Sequence, residues 1–478
     1  MRRNWPAVAA LILYLVVGTL YAFYTPMWQA PDEPAHYNYV QSLAEGDGFP
    51  VLEPGDYDQA YLSRLTTESF PPGLSVEPLE YEDHQPPLYY LLAVPIYWIS
   101  DGSIIALRLF SLVLGGCALA ALIWILREFW PDRPGIAWLG AGLVAFIPQF
   151  IAMMAAINND PLTLALLWLW LALALRFLRG SASPWVLGGV LGALLLTKTT
   201  GYGALILAVL TVYLRYRREG QSPKWATLQL VRILLPALAL GGLWWIRNAV
   251  VYGWPDLLGL IQHDAVVIGQ PRSGDWIAQE GLLAFGLAAL RTTFRSFWAQ
   301  FGWMGVVVDA RIYQALTVFS ALVTWGAALR IAQASRTDAD VRKRDTLVLL
   351  GASALITLFL FLGYNLSFVQ HQGRYLFPAL PIVALAGVLG LEHLLERRLA
   401  VGTALLLLGI LILVAGGGLI GGDVSWWWVL LLAAAAISLA VASYLPRAMR
   451  PWLSIALVAA FVVLDLVCLF GFIVPMLA

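Results

Sequence analysis

Residues 5–36 read WPAVAALILYLVVGTLYAFYTPMWQAPDEPAH. The two parts of this stretch want different solvents. From Trp5 to Tyr24 the chain carries no charge, and it has the roughly 20 apolar residues that cross a hydrocarbon core. It lacks a small-residue cleavage site, so it is expected to stay as a first membrane helix rather than leave as a signal peptide. A few residues on, Asp32, Glu33 and His36 place three ionisable groups beside a membrane boundary. Asp32 is expected to cap a short helix, with Pro34 in its first turn and Gly46 near its end. On that helix Asp32 and His36, four apart, would share a face.

The whole chain repeats this contrast. Of its 478 residues 60% are hydrophobic and 12% charged, with 29 Lys plus Arg balancing 29 Asp plus Glu; the mean hydropathy is +0.76. Soluble domains carry about 25% charged residues. A soluble globular enzyme, a disordered chain and a basic-patch nucleic-acid binder are therefore excluded. Cys117 and Cys468 both lie in apolar runs, which leaves no disulfide framework or Cys metal site. The 21 tryptophans suit a chain with many membrane interfaces.

The fold expected is an all-α polytopic membrane protein of about 13 spans: 5–24, 103–126, 134–156, 161–178, 184–201, 202–218, 229–249, 310–332, 346–366, 375–395, 399–420, 426–444 and 452–474. The apolar stretch 86–100 is short for a span and is expected to lie in the interface. With the N-terminus inside and the C-terminus outside, inner loops collect 20 of the 29 Lys and Arg, Arg2, Arg3, Arg336 and Arg447 among them. That is the positive-inside bias. The organisation expected is a first helix (1–24), an extracytoplasmic loop with interfacial helices (25–102), helices 2–7 (103–253), a second long outer loop (254–309) and helices 8–13 (310–478).

Polar groups converge on the outer rim. Besides Asp32, Glu33 and His36 there is Glu82-Asp83-His84-Gln85-Pro86-Pro87, where two prolines fix a corner. Asn158-Asn159-Asp160-Pro161 puts another carboxylate at the same depth, where helix capping alone also explains it. Arg108, Lys198, Arg247 and Arg374 supply cations near span ends. A charge at a helix centre costs about 2.5–3.5 kcal/mol, so a charged residue at a span has a partner or a task, unless it simply snorkels. Arginine binds phosphate bidentately and stays charged. Acids and cations on one rim suggest a bound phosphate beside a general base. Asp465, alone in the last span, is read as a buried interhelical group without a catalytic role.

These motifs, in order, resemble the GT-C superfamily of integral-membrane glycosyltransferases. They are Asp32-Glu33, His84-Gln-Pro-Pro-Leu-Tyr-Tyr, Arg108-Leu-Phe-Ser, Asn-Asn-Asp160-Pro, Lys198-Thr-Thr-Gly, Trp-Trp-Ile-Arg247-Asn and Gln-Gly-Arg374-Tyr. The sequence is similar to the protein O-mannosyltransferase and aminoarabinose-transferase branch, and to related bacterial membrane proteins, from Trp5 to about Leu391. The resemblance implies a polyprenyl-phosphate sugar donor, used on the extracytoplasmic side. It implies Asp32 as general base, Glu33 and Asp160 organising sugar and acceptor, and Arg108 and Arg374 holding phosphate. Where the aminoarabinose transferases resemble Glu-Lys-Pro, this chain has His84-Gln85-Pro86, so His84 or Arg374 would replace that lysine. Lys198 and Arg247 complete the donor-binding set.

The expected activity is transfer of one monosaccharide to an acceptor hydroxyl by an inverting single displacement. The acceptor would be a protein, lipid or glycan at the outer face of a bacterial plasma membrane, with membrane lipids and no nucleic acid as other partners. No cofactor is required; a divalent ion on Asp32, His36 and Asp160 is compatible with their chemistry. The alternatives are a secondary transporter, which calls for ionisable pairs at midplane, a lipid-linked glycan ligase or flippase-type protein, and a catalytically silent lipid-binding subunit.

Overall fold

The computed structural model describes residues 5–334, 340–446 and 449–477. Four of the expected inner-loop charges, Arg2, Arg3, Arg336 and Arg447, lie outside the described residues. The described residues are mostly helical, with one two-residue hairpin, Gln300–Phe301 against Val306–Val307, as their sheet. Among the described residues ten helices are long and apolar enough to cross a membrane, or up to eleven if one bent pair forms a single span.

Three of the thirteen expected spans are built differently. The stretch 134–156 is broken into Ala137–Ala145 and Pro148–Met154, bent by 75°. Pro148 cannot donate into a continuing helix, so the break falls just before it. The stretch 184–201 gives a helix of only 12 residues, Pro184–Leu195, which ends ahead of polar Thr197 and Lys198. The stretch 202–218 gives Ala204–Glu219, 16 residues ending in charge. The other ten recur with boundaries shifted by a few residues.

The core is a sheath of helices around Asp160–Leu178, whose Trp168 and Trp170 are fully buried. Ile104–Phe129 packs along it, Pro184–Leu195 packs on Pro223–Val251, and Ala310–Ala334 packs on Leu380–Leu394. Small residues allow these approaches. A Cβ on Gly390 would lie 2.2 Å from the Val323 carbonyl oxygen, and one on Gly188 would lie 2.4 Å from that of Ile233. Without a hydrophobic drive between helices in lipid, such close backbone packing carries much of the association. Outward faces stay apolar, as on Arg397–Gly421, where Leu405, Leu413 and Ile420 are exposed.

The two long loops are folded. The first contributes helices Glu33–Glu45, Gln59–Thr67 and Leu88–Ser100. The last of these is the expected short apolar helix, packed on Glu33–Glu45 with Leu91, Leu92, Trp98 and Ile99 exposed. The second loop contributes Leu260–Val266, Ser273–Glu280 and Leu282–Trp298. Trp303 on its hairpin donates to the Trp28 carbonyl (2.9 Å), so the loops meet over one end of the bundle.

Candidate active site

Asp32 opens the helix Glu33–Glu45 but does not cap it with its side chain. Its backbone is left-handed (φ 67°), a conformation that costs a non-glycine residue roughly 1–2 kcal/mol. The twist aims the carboxylate away from its own helix. It accepts from the Tyr81 hydroxyl (3.0 Å) and pairs with Arg374. Burial pushes this carboxyl up, but the Arg374 guanidinium, with help from Tyr81, outweighs burial and holds it below its ordinary value.

Four other groups join from separate segments. Asp160, at the start of its helix, accepts from Lys198 Nζ at 2.6 Å. Asn158 shapes that start, since its Oδ1 accepts the Asp160 amide (2.8 Å). Lys198 follows the short helix Pro184–Leu195, and both Asp32 and Asp160 lie within electrostatic reach of Arg374. Glu82 comes from the proline corner and feels Asp32, Lys198 and Arg374. Burial, then the Asp32 charge, pushes the Glu82 carboxyl up to about 8, against the pull of the two cations.

Arg374 owes its position to its neighbour. Gly373 donates its amide to Ser296 Oγ (2.7 Å), and a Cβ there would lie 2.2 Å from the Phe297 nitrogen. The Gln-Gly-Arg segment therefore seats directly on the backbone of Leu282–Trp298. Arg374 gives Asp32 one amino group, its other makes only a long contact to Met153 Sδ (4.0 Å), and its buried Nε has no partner among the described residues. Its donors are largely unspent.

Arg108 is the opposite case and corrects the expectation of a phosphate ligand. Its Nε and Nη2 grip both Glu33 oxygens (2.7 and 2.6 Å), and the remaining hydrogens go to the carbonyls of Ala22, Thr25 and Pro26. Glu33 also accepts from the Ile157 and Trp28 amides (both 3.2 Å). Both side chains are buried. Every donor is used, so the Glu33–Arg108 pair is a clasp that joins the first helix, Ile104–Phe129 and the 155–158 turn. It has no hydrogen left for a phosphate and no carboxylate oxygen free for sugar.

Two further expectations change. His84 is not a phosphate cation: it is buried with its ring 4.6 Å from that of His263. Burial and the neighbouring imidazole hold His84 well below its ordinary value, and burial takes His263 down to about 4. Arg247 lies over Trp244 (4.6 Å), donates to Tyr252 and to the Pro50 carbonyl, and so anchors the first loop outside the cluster. His36 hydrogen-bonds Tyr90 (2.8 Å), and burial lowers it to about 3. Asp32 is thus paired with Arg374, Asp160 with Lys198 and His36 with Tyr90.

Glu82 and Tyr81 were not among the candidate residues. The sequence signal for Glu82 was its place in the acidic run before Pro86-Pro87; Tyr81 had none. In the last span, Asp465 is buried with neither carboxyl oxygen partnered among the described residues. Asn365 is buried too, its amide donating to the Phe361 and Gln370 carbonyls.

A bundle of long apolar helices whose polar cluster sits under two folded loops at one end is a multi-pass membrane protein. It is similar to ArnT from Cupriavidus metallidurans bound to undecaprenyl phosphate, with a TM-score of 0.51 at 17% identity, over 99% of this chain and 76% of that one. ArnT in the apo state matches over the same shares at 16% identity, with a TM-score of 0.51. The Archaeoglobus fulgidus oligosaccharyltransferase in complex with Zn and sulfate matches with a TM-score of 0.43 and 15% identity, over 89% of this chain and 53% of that one. The chain belongs to the family described as "Predicted membrane protein (DUF2142)", whose model matches residues 77–383. No curated protein matches it.

Proposed function

We propose that this protein is a membrane glycosyltransferase that moves a sugar from a polyprenyl-phosphate donor to an acceptor hydroxyl at the extracytoplasmic face of a bacterial plasma membrane. One observation carries the proposal. Asp32 is kept ionised beside Arg374, a buried guanidinium with unspent donors, while Asp160 and Lys198 pair at their side. The fold shared with ArnT, whose structure holds undecaprenyl phosphate, supports the donor class.

In this mechanism Asp32 takes the proton from the acceptor hydroxyl as its oxygen attacks the anomeric carbon. The bond from that carbon to the lipid phosphate breaks on the opposite side, and the phosphate leaves with the electron pair. Arg374 and Lys198 hold the charge that develops on it, at the rim of a low-dielectric bundle. A single displacement inverts the anomeric centre. Arg374 has two roles in sequence. Paired with Asp32 it keeps the carboxylate charged; shared with an incoming phosphate, it loosens its hold and lets Asp32 become a stronger base. Glu82, protonated near neutral pH, offers the phosphate or sugar a donor rather than a repelling charge.

The test is transfer by the purified protein with a polyprenyl-phosphate sugar and a panel of hydroxyl acceptors. Asp32→Asn is expected to abolish product and retain donor binding. Full turnover in that variant removes Asp32 from the chemistry. Donor binding without product from any acceptor, in the unmodified protein, removes the transferase assignment.

A further inference from the structure

A second acidic centre stands apart from the proposed reacting groups. Asp56, on the first loop, and Glu80 and Asp83, on the segment leading to the proline corner, each place one carboxylate oxygen within 4.8 Å of the others. Asp83 is only 2% exposed, its Oδ1 has no hydrogen-bond partner, and it faces this group. For all three side chains, the described hydrogen bonds supply one donor, the Glu53 amide to Asp56 (2.6 Å). The cation that acts on Asp83 is Arg247, whose hydrogens go to Asn248, Tyr252 and Pro50. Three carboxylates sharing one amide, with one of them out of water, lack the positive charge that a buried anion requires.

We infer that Asp56, Glu80 and Asp83 bind a hard divalent cation of the calcium type. The donor set is all oxygen, which suits Ca²⁺ and argues against a thiophilic or imidazole-seeking metal. Oxygens within 4.8 Å of one another are a spread that bonds of roughly 2.3–2.6 Å to one Ca²⁺ can bridge. Mg²⁺ demands near-ideal octahedral geometry and gives up its waters reluctantly, so three protein carboxylates suit it less well. Burial raises all three carboxyls above their ordinary values, with further repulsion from Glu53 on Asp56, from Asp56 on Glu80, and from Glu80 and Asp56 on Asp83.

The cation has a mechanical task. Backbone bonds already tie the segments: the Glu80 amide to the Asp56 carbonyl (3.1 Å) and the Asp83 amide to the Glu80 carbonyl (3.1 Å). Between Glu80 and Asp83 lie Tyr81, which donates to Asp32, and Glu82. A calcium ion stapling 56 to 80 and 83 fixes the strip that presents these two groups. It touches none of the reacting atoms.

Full-length protein in detergent, stripped with EDTA and titrated with CaCl₂, tests the site by calorimetry and by thermal unfolding. The expected result is one Ca²⁺ per chain, with a Kd in the roughly 10⁻⁴–10⁻³ M range of extracellular sites, a higher Tm, and a weaker response to MgCl₂. Asp83→Asn and Glu80→Gln should each lose both the heat and the Tm rise. Asp56→Asn, at a half-buried position, should weaken them and serves if the buried variants fold poorly. Asp32→Asn should bind Ca²⁺ normally, so the result does not depend on sugar transfer. Absence of heat and of a Tm shift up to about 10 mM CaCl₂ overturns the proposal. So does binding that survives both Asp83→Asn and Glu80→Gln. A Tm that rises in EDTA on Asp83→Asn, with no calcium binding by the unmodified protein, would identify Asp83 as a protonated acid and also overturn it.

Discussion

Asp32 and Glu33 are adjacent, acidic and each paired with an arginine, yet they belong to two different regions. Glu33 meets a guanidinium whose five hydrogens are all spent, in a site sealed from solvent. Asp32 meets one with most of its hydrogens in hand, at a rim still open to the loops (Asp32 is 21% exposed). The φ of 67° at Asp32 separates them by turning one carboxylate out of the helix that begins with the other. A saturated ion pair is a structural joint. An unsaturated one, next to further cations and a protonated acid, is where a ligand can be exchanged.

The comparison breaks most sharply with the two charge-removing substitutions. Asp32→Asn should lower transfer about 10²–10⁴-fold, the usual range for a lost general base, with a smaller loss of Tm than Arg108→Ala because Asp32 is partly exposed and asparagine keeps an acceptor for Arg374. Arg108→Ala should do the reverse. It strands Glu33 in the interior, and breaking such a buried pair costs about 3–5 kcal/mol. Thermal unfolding and folded yield should collapse, with any surviving folded fraction turning over normally. If Arg108→Ala kept its Tm and lost only donor affinity, the two arginines would have to exchange roles.

Gly373→Ala comes next. The new methyl would fall 2.2–2.5 Å from Phe297 and Thr293 backbone atoms, so the Arg374 segment and the helix must part, with a loss of Tm as well as a shift of Arg374. A rise in KM for the donor larger than the fall in stability would show that Arg374, not bulk folding, was disturbed. The smallest effect is a pH profile. Glu82 is protonated below about 8 and charged above it, because its site raises the carboxyl. Rising pH through that value adds a second negative charge beside Asp32, so donor affinity should fall. Glu82→Gln should remove that alkaline limb and leave the rate near pH 7 within a few-fold.

Much of this was legible in the chain. Long apolar runs such as Trp5–Tyr24 and Ile104–Phe129 have one stable solution in lipid, a hydrogen-bonded helix. The rim was legible too, because Asp32, Asp160, Lys198 and Arg374 all fall at span ends. What composition hides is saturation. Nothing in Arg108-Leu-Phe-Ser indicates that three carbonyls and one carboxylate will consume the guanidinium, since these come from residues 22–33. The same holds for His84: it is lowered by burial and then by His263, some 180 positions away on a separate loop. Where thirteen spans are expected, the described residues hold ten helices long and apolar enough to cross, or eleven with the pair bent at Pro148, since hydropathy does not register direction.

Gly373 also links the polar rim to the outer surface. The helix it rests on, Leu282–Trp298, turns its backbone inward to that glycine and turns Leu283, Leu287 and Leu290 outward. Any load on those leucines is carried by the same rod that braces Arg374, with a bare α-carbon as the fulcrum.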